Sequence, residues 1–225
     1  MIDAPSPSRP LRAGRTATGR PPAQWVRVYH RDPRRTPDGT APRSWGPVGR
    51  FDSHPGGPDG PREHPHGPTV HYSGDTLSVA LAEAFRGAPV WSVCPAWRAA
   101  LLVGTSEALQ DLGPGGAVVL GAPADLGHRA DYTRASTQTW ARAILADLPS
   151  GAVTGARYHS ARHPGGENVV LWNGRPAALT TALGTEDVAL HDEAVWPRAL
   201  VAAHRLGASV ERIAITDCAR HRDDV

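Results

Sequence analysis

An α+β fold, rather than a regular strand–helix repeat, is predicted by three features of this chain. Strand-like stretches rich in β-branched and aromatic residues fall in unequal clusters. Amphipathic helical segments interrupt them at irregular intervals. A Pro/Gly-rich passage over residues 31–68 is too long for a plain connection inside a compact domain, which marks it as functional or disordered. The length of 225 residues suits one domain with a tail, and we place the boundary after residue 22: a disordered Pro/Arg-rich arm over 1–22, then a single domain over 23–225. The arm has five prolines and too few large apolar residues to bury, so ordering it is expected to cost more than it returns.

The elements follow in order. "QWVRVYH" (24–30) alternates as a strand does, and "TVHYS" (69–73) is the next strand. Gly74 and Asp75 then turn the chain, Asp75 or Thr76 caps a helix from Leu77 to Arg86, and Gly87 stops it. "PVWSVC" (89–94) and "AVVLG" (117–121) read as strands, while "AALLVG" (99–104) is ambiguous. Trp140, Ile144, Leu145 and Leu148 share one face of a helix over 134–148. "GARYHS" and "NVVLWN" are strands around a glycine-rich turn. A helix broken at Pro197 follows, and "VERIAIT" closes the chain as a strand.

Composition excludes more than it selects. The formal charge is +2, from 24 basic residues that are all arginine and 22 acidic ones. The absence of lysine beside abundant Ala, Gly and Pro reads as the bias of a GC-rich genome, so the arginines are weak evidence for a nucleic-acid surface, and none is expected as a partner. No run of 18 apolar residues predicts a membrane span. The N-terminus lacks the apolar core of a secretory signal, and the two cysteines, Cys94 and Cys218, have no metal or redox spacing, so a reduced, cytoplasmic setting is expected. His54, His64, His66 and His71 fit no zinc pattern and are expected to be solvated; no metal is expected.

Three places carry candidate chemistry. The helix after "VHYSGDT" is apolar or small almost all round, yet bears Glu83. Either Glu83 is solvated and pairs with Arg86 three residues on, or the helix is covered on both sides and the carboxylate faces a cleft, where it needs a cation, a donor or a substrate. "GARYHSARHPGGENVVLW" (155–172) brings Tyr158 and Ser160 to one face of a strand and starts the next strand near Asn168; it also reads as an ordinary hairpin. "GRF" (49–51) and "VRVYH" place Arg50 and Arg27 near strand backbone, where arginine suits bidentate phosphate recognition or plain surface duty.

Five stretches, "WVRVYH", "WGPVGRFD", "VHYSGDTLSVALAEAF", "YTRASTQTWARAI" and "GARYHSARHPGGENVVLW", occur in the order found in the RES-domain family, which this chain resembles between about Trp25 and Trp172. The resemblance implies an ADP-ribosyltransferase-like domain: two small β-sheets around a cleft for NAD, with peripheral helices. It implies NAD as a substrate cleaved at the nicotinamide–ribose bond by phosphorolysis or hydrolysis. Alternatives are transfer of ADP-ribose to a protein target, or a catalytically silent binding module of the same fold. It further implies a toxin paired with a helix-turn-helix antitoxin, and it leaves a homo-oligomer open. By position, Glu83 is the catalytic acid and Ser160 the catalytic serine that bonds a ribose or carboxamide group. Arg27 and Arg50 hold the pyrophosphate, Tyr72 stacks on nicotinamide or ribose, and Asn168 joins the cofactor-binding set. Two departures stand out: Val28, not Tyr, follows Arg27, and the insertion between Phe51 and Thr69 is long. Residues 174–225 lie beyond the resemblance.

Overall fold

The computed structural model describes residues 1–8, 11, 24–57, 60–103, 108–147, 153–172, 180–181 and 187–222. Strands are β1 (Gln24–His30), β2 (Trp45–Gly46), β3 (Arg62–Glu63), β4 (Val70–Gly74), β5 (Val90–Val93), β6 (Trp97–Val103), β7 (Leu109–Asp111), β8 (Gly155–His159), β9 (Glu167–Trp172), β10 (Thr180–Thr181), β11 (Val188–Ala189) and β12 (Ser209–Arg212). Helices are α1 (Leu77–Phe85), α2 (Pro114–Leu120), α3 (Arg134–Asp147), α4 (Trp196–Arg205) and α5 (Ala219–Arg222). Helices and strands are mixed without a repeating unit, so the fold is α+β.

The two small sheets expected around a cleft correspond to two halves of one strand path, with two-stranded pairs beside it. One path runs β10-β6-β1-β4-β9-β8-β7, with β11 also on β6, and two-stranded pairs lie beside it. That path narrows to one point. β1 pairs with β6 along its whole length, and β4 with β9 along its whole length, but β1 meets β4 only at Val26 and Gly74. Beyond that pair the two strands part, and the opening between them is the cleft.

Local chemistry explains most elements. Alternation puts Trp25, Arg27 and Tyr29 on the buried face of β1. Thr76 caps α1 by accepting the amide of Val79, while Asp75 instead binds the Glu167 amide. Four consecutive residues of α1, Val79 to Ala82, are buried, so the helix is covered on both sides. In α3, Trp140 and Ile144 fill the core as expected; Leu148 lies outside the described residues. The stretch "AVVLG" is the end of α2 and not a strand. Pro114 starts that helix and Gly121, with φ 89°, ends it, and these terminal signals outweigh the β-preference of two valines. The ambiguous "AALLVG" lies in β6 through Val103, with Gly104 outside the described residues, and Pro197 begins α4 instead of breaking it.

Two further expectations are corrected. The arm is ordered over its first eight residues. Ile2 bridges Tyr132, the Ala4 amide donates to Ser136, and Trp140 donates its indole N–H to the Pro5 carbonyl at 2.8 Å. Ala4 and Leu11 are buried there; residues 9, 10 and 12–22 lie outside the described residues. Nor are all four histidines solvated. His54 and His71 are buried, because the Pro/Gly passage folds back over the domain and His71 lies on β4. Burial and the nearby Arg27 charge keep His71 well below its ordinary pKa. Among the described residues no helix is long and apolar enough to cross a membrane.

Candidate active site

The cleft has a volume of about 270 Å³ and is lined from β1, β4, α1, the 43–50 segment and the β8–β9 region. Glu83 projects into it from α1. Its Oε1 accepts hydrogen bonds from the Ser160 hydroxyl at 2.8 Å and from Asn168 Nδ2 at 3.0 Å. Among the described residues Oε2 has no hydrogen-bond partner and Glu83 forms no ion pair; Arg86, three residues on, is not bonded to it. The pairing offered by spacing alone is therefore not made.

Ser160 does more than touch Glu83. Its oxygen accepts the amides of Arg162 at 3.1 Å and His163 at 3.0 Å, so its proton goes to Glu83 and its lone pairs to the backbone. The turn that follows approaches α1 closely: a Cβ on Gly166 would stand 2.2 Å from Val79 Cγ2. Asn168 is buried in β9, opposite Tyr158 on one side and Gly74 on the other. Ser160 and Asn168 thus hold the carboxylate. The Ser160 hydroxyl and Asn168 Nδ2 are thereby taken up by Glu83, whereas the resemblance implied substrate contacts for both.

A second carboxylate lies deeper in the wall. Asp52 is fully buried and accepts Arg43 Nη2 at 2.8 Å on both oxygens, the Tyr72 hydroxyl at 2.8 Å and the Val48 amide at 2.6 Å. Burial alone would raise its pKa. The His54 ring and the Arg43 guanidinium offset that and hold the carboxyl well below the usual range. The Tyr72 hydroxyl also accepts the Phe51 amide, and burial first, then Asp52, pushes its pKa well above the ordinary value. Tyr72 lines the cleft by its ring, with its hydroxyl committed to the wall. Gly49 is required by this crowding, since a Cβ there would lie 2.6 Å from both the Tyr72 hydroxyl and Asp52 Oδ1.

Arg50 is a clamp. Its Nη atoms donate to the carbonyls of Leu126, Gly127 and Arg129, while its Nε is buried without a partner. Arg27, also buried, donates Nη1 to the carbonyls of Gly39 and Ala41 and lies over the Tyr29 ring. Burial, then Arg43, pulls its pKa down to about 9. Both line the cleft, and both hold segments in place by carbonyl contacts instead of presenting an open fork.

Residues missed in the sequence complete the electrostatics. Among the described residues, seven arginines and a single carboxylate, Glu83, line the cleft. Arg86, Arg134 and Arg162 are exposed and make no ion pair among the described residues. Partial desolvation first, and then the charges of Arg134, Arg220 and Arg43, lower the pKa of Arg86. Arg86 also takes the left-handed conformation, φ 54°, at the end of α1. The available signal was adjacency, since arginines follow Glu83 by three residues and Ser160 by two, but genome bias masked it.

A family model described as RES domain matches residues 24–192. No curated protein and no solved structure matches the chain.

Proposed function

The chain belongs to the RES-domain family, and on that premise we propose that it degrades NAD by cleaving the nicotinamide–ribose bond. The observation that carries this reading is the charge arrangement: one carboxylate, fixed by two neutral donors, in a cleft whose cationic lining groups among the described residues are arginines. NAD combines a pyrophosphate with a ribose that becomes cationic when the C–N bond breaks. The arginines suit the first and Glu83 the second.

In the reaction the bonding pair leaves with the pyridinium nitrogen, which becomes neutral nicotinamide without needing a proton. The ribose C1′ becomes oxocarbenium-like, as in glycoside hydrolysis. Glu83 stabilises that charge more in the transition state than in the ground state, where the positive charge lies on the pyridinium ring. Water or phosphate then adds to C1′, giving ADP-ribose or its 1-phosphate and, from water, one proton. Ser160 and Asn168 position Glu83, and Arg27 and Arg50 set the shape and positive potential of the floor. The exposed rim arginines attract the dinucleotide. A helix-turn-helix protein that covers the cleft would silence the activity.

The test is product analysis of NAD incubated with the purified full chain, with and without phosphate. Free nicotinamide in step with NAD loss is the expected result. Transfer of ADP-ribose to added protein at the expense of free products would move the chain to the transferase reading, and no nicotinamide release would reject both.

A further inference from the structure

The two cysteines, far apart in sequence, meet at one histidine. Cys94 Sγ and Cys218 Sγ each lie 3.4 Å from His30 Nε2, across separations of 64 and 188 residues. The three ligand atoms all lie within 4.8 Å of one another. His30 ends β1, Cys94 begins the turn from β5 to β6, and Cys218 stands just before α5. Both cysteines are reduced and buried. The Trp97 ring meets the imidazole edge-on at 5.5 Å, closing one side.

We propose that Cys94, Cys218 and His30 form a site for a zinc-class divalent cation. Thiolate and imidazole are the ligands such ions choose, with bonds of about 2.3 Å to sulfur and about 2.0–2.1 Å to nitrogen. At a tetrahedral angle those bonds put sulfur and nitrogen about 3.6 Å apart, close to the two observed spacings. Two thiolates neutralise the ion, and a solvent molecule completes the fourth position. Binding releases the two thiol protons. A disulfide is the weaker reading. The buried sulfurs are closed to an oxidant.

The site has a structural consequence. Cys218 lies outside the matched residues 24–192, whereas His30 and Cys94 lie inside them. The ion would tie the C-terminal segment to the domain. Arg220, two residues on, lies over the Trp97 ring at 4.7 Å and lines the cleft. The same ion therefore holds one of the cleft's arginines in position.

The experiment uses the reduced, chelator-treated full chain titrated with Co²⁺ and then with Zn²⁺. One equivalent of Co²⁺ should give a sulfur-to-metal charge-transfer band with the visible bands of a tetrahedral site, and Zn²⁺ should bleach both and raise the melting temperature. Cys218→Ala should weaken binding by more than about 100-fold, since even the hydrogen-bond partners of metal ligands are worth about 10–100-fold. Folded wild-type protein that gives no charge-transfer band and no melting response overturns the proposal, whatever the variant does. So does a thiol count showing the two cysteines oxidised to each other in freshly purified protein.

Discussion

Two carboxylates flank the same cleft, and their surroundings differ in kind. Asp52 is fully buried and saturated, with both oxygens shared by its own cation, Arg43, and further donors from Tyr72 and Val48. Glu83 is half-buried, has two neutral donors on one oxygen and, among the described residues, no cation bonded to it. The first arrangement stabilises a charge in every state of the protein. The second holds a charge in place and leaves part of it uncompensated, which is what a site needs if the cation is to arrive with the substrate. A carboxylate's role is thus readable from who neutralises it.

That contrast can be broken or sharpened by substitution. The largest effect on folding should come from Asp52→Asn, which leaves Arg43 without its counter-ion; breaking a buried pair in this way costs about 3–5 kcal/mol. Because the folded-state pKa of Asp52 is depressed, its contribution is present above the unfolded value, near 3.9, and is lost as pH falls below it. Denaturant titrations should therefore show a gap between wild type and variant that narrows toward acid. A gap independent of pH would mean that Asp52 packs without acting as a charge.

A smaller effect, on turnover, is expected from Asn168→Asp. It replaces a donor on Glu83 by a carboxyl group of similar size that no longer donates as the amide did. Turnover should fall by at least about tenfold, or about 1.4 kcal/mol, with NAD affinity little changed. Unchanged turnover in the folded variant would remove Asn168 from the positioning of Glu83.

The smallest effect should come from Arg86→Gly. Arg86 is the neighbour Glu83 does not use, and it holds a left-handed conformation that costs a non-glycine residue about 1 kcal/mol. Melting should rise slightly while NAD affinity weakens, most clearly at low salt. If affinity is unchanged at low salt, the rim arginines do not attract the dinucleotide.

Much of this arrangement was legible before the fold was known, and the reasons are local. The alternation of β1, the β-branched and aromatic content of β4 and β9, the capping of α1 and the oddity of an acid on an apolar helix are all short-range signals, and Glu83, Ser160 and Asn168 do come together. What escaped was set by long-range contacts. Asp52 lies in a Pro/Gly passage with no periodicity, and only the fold shows that it meets Arg43 and Tyr72. The commitment of Arg27 and Arg50 to carbonyls depends on loops at 39–41 and 126–129 that no motif specifies. The convergence of His30, Cys94 and Cys218 spans most of the chain. The arm was misread because its docking rests largely on backbone groups and two small contacts, Ala4 and Leu11, which composition does not reveal.

The most direct test of the central claim is single-turnover nicotinamide release by Glu83→Gln, measured with its NAD affinity and melting temperature. Glutamine keeps the size of the side chain and removes the charge. If Glu83 stabilises the ribosyl cation, the rate should fall by roughly two to four orders of magnitude, about 2.7–5.4 kcal/mol of barrier, with affinity and melting close to wild type. A near-wild-type rate, or a loss explained wholly by weaker binding or unfolding, would contradict the account and leave Glu83 a second structural carboxylate like Asp52.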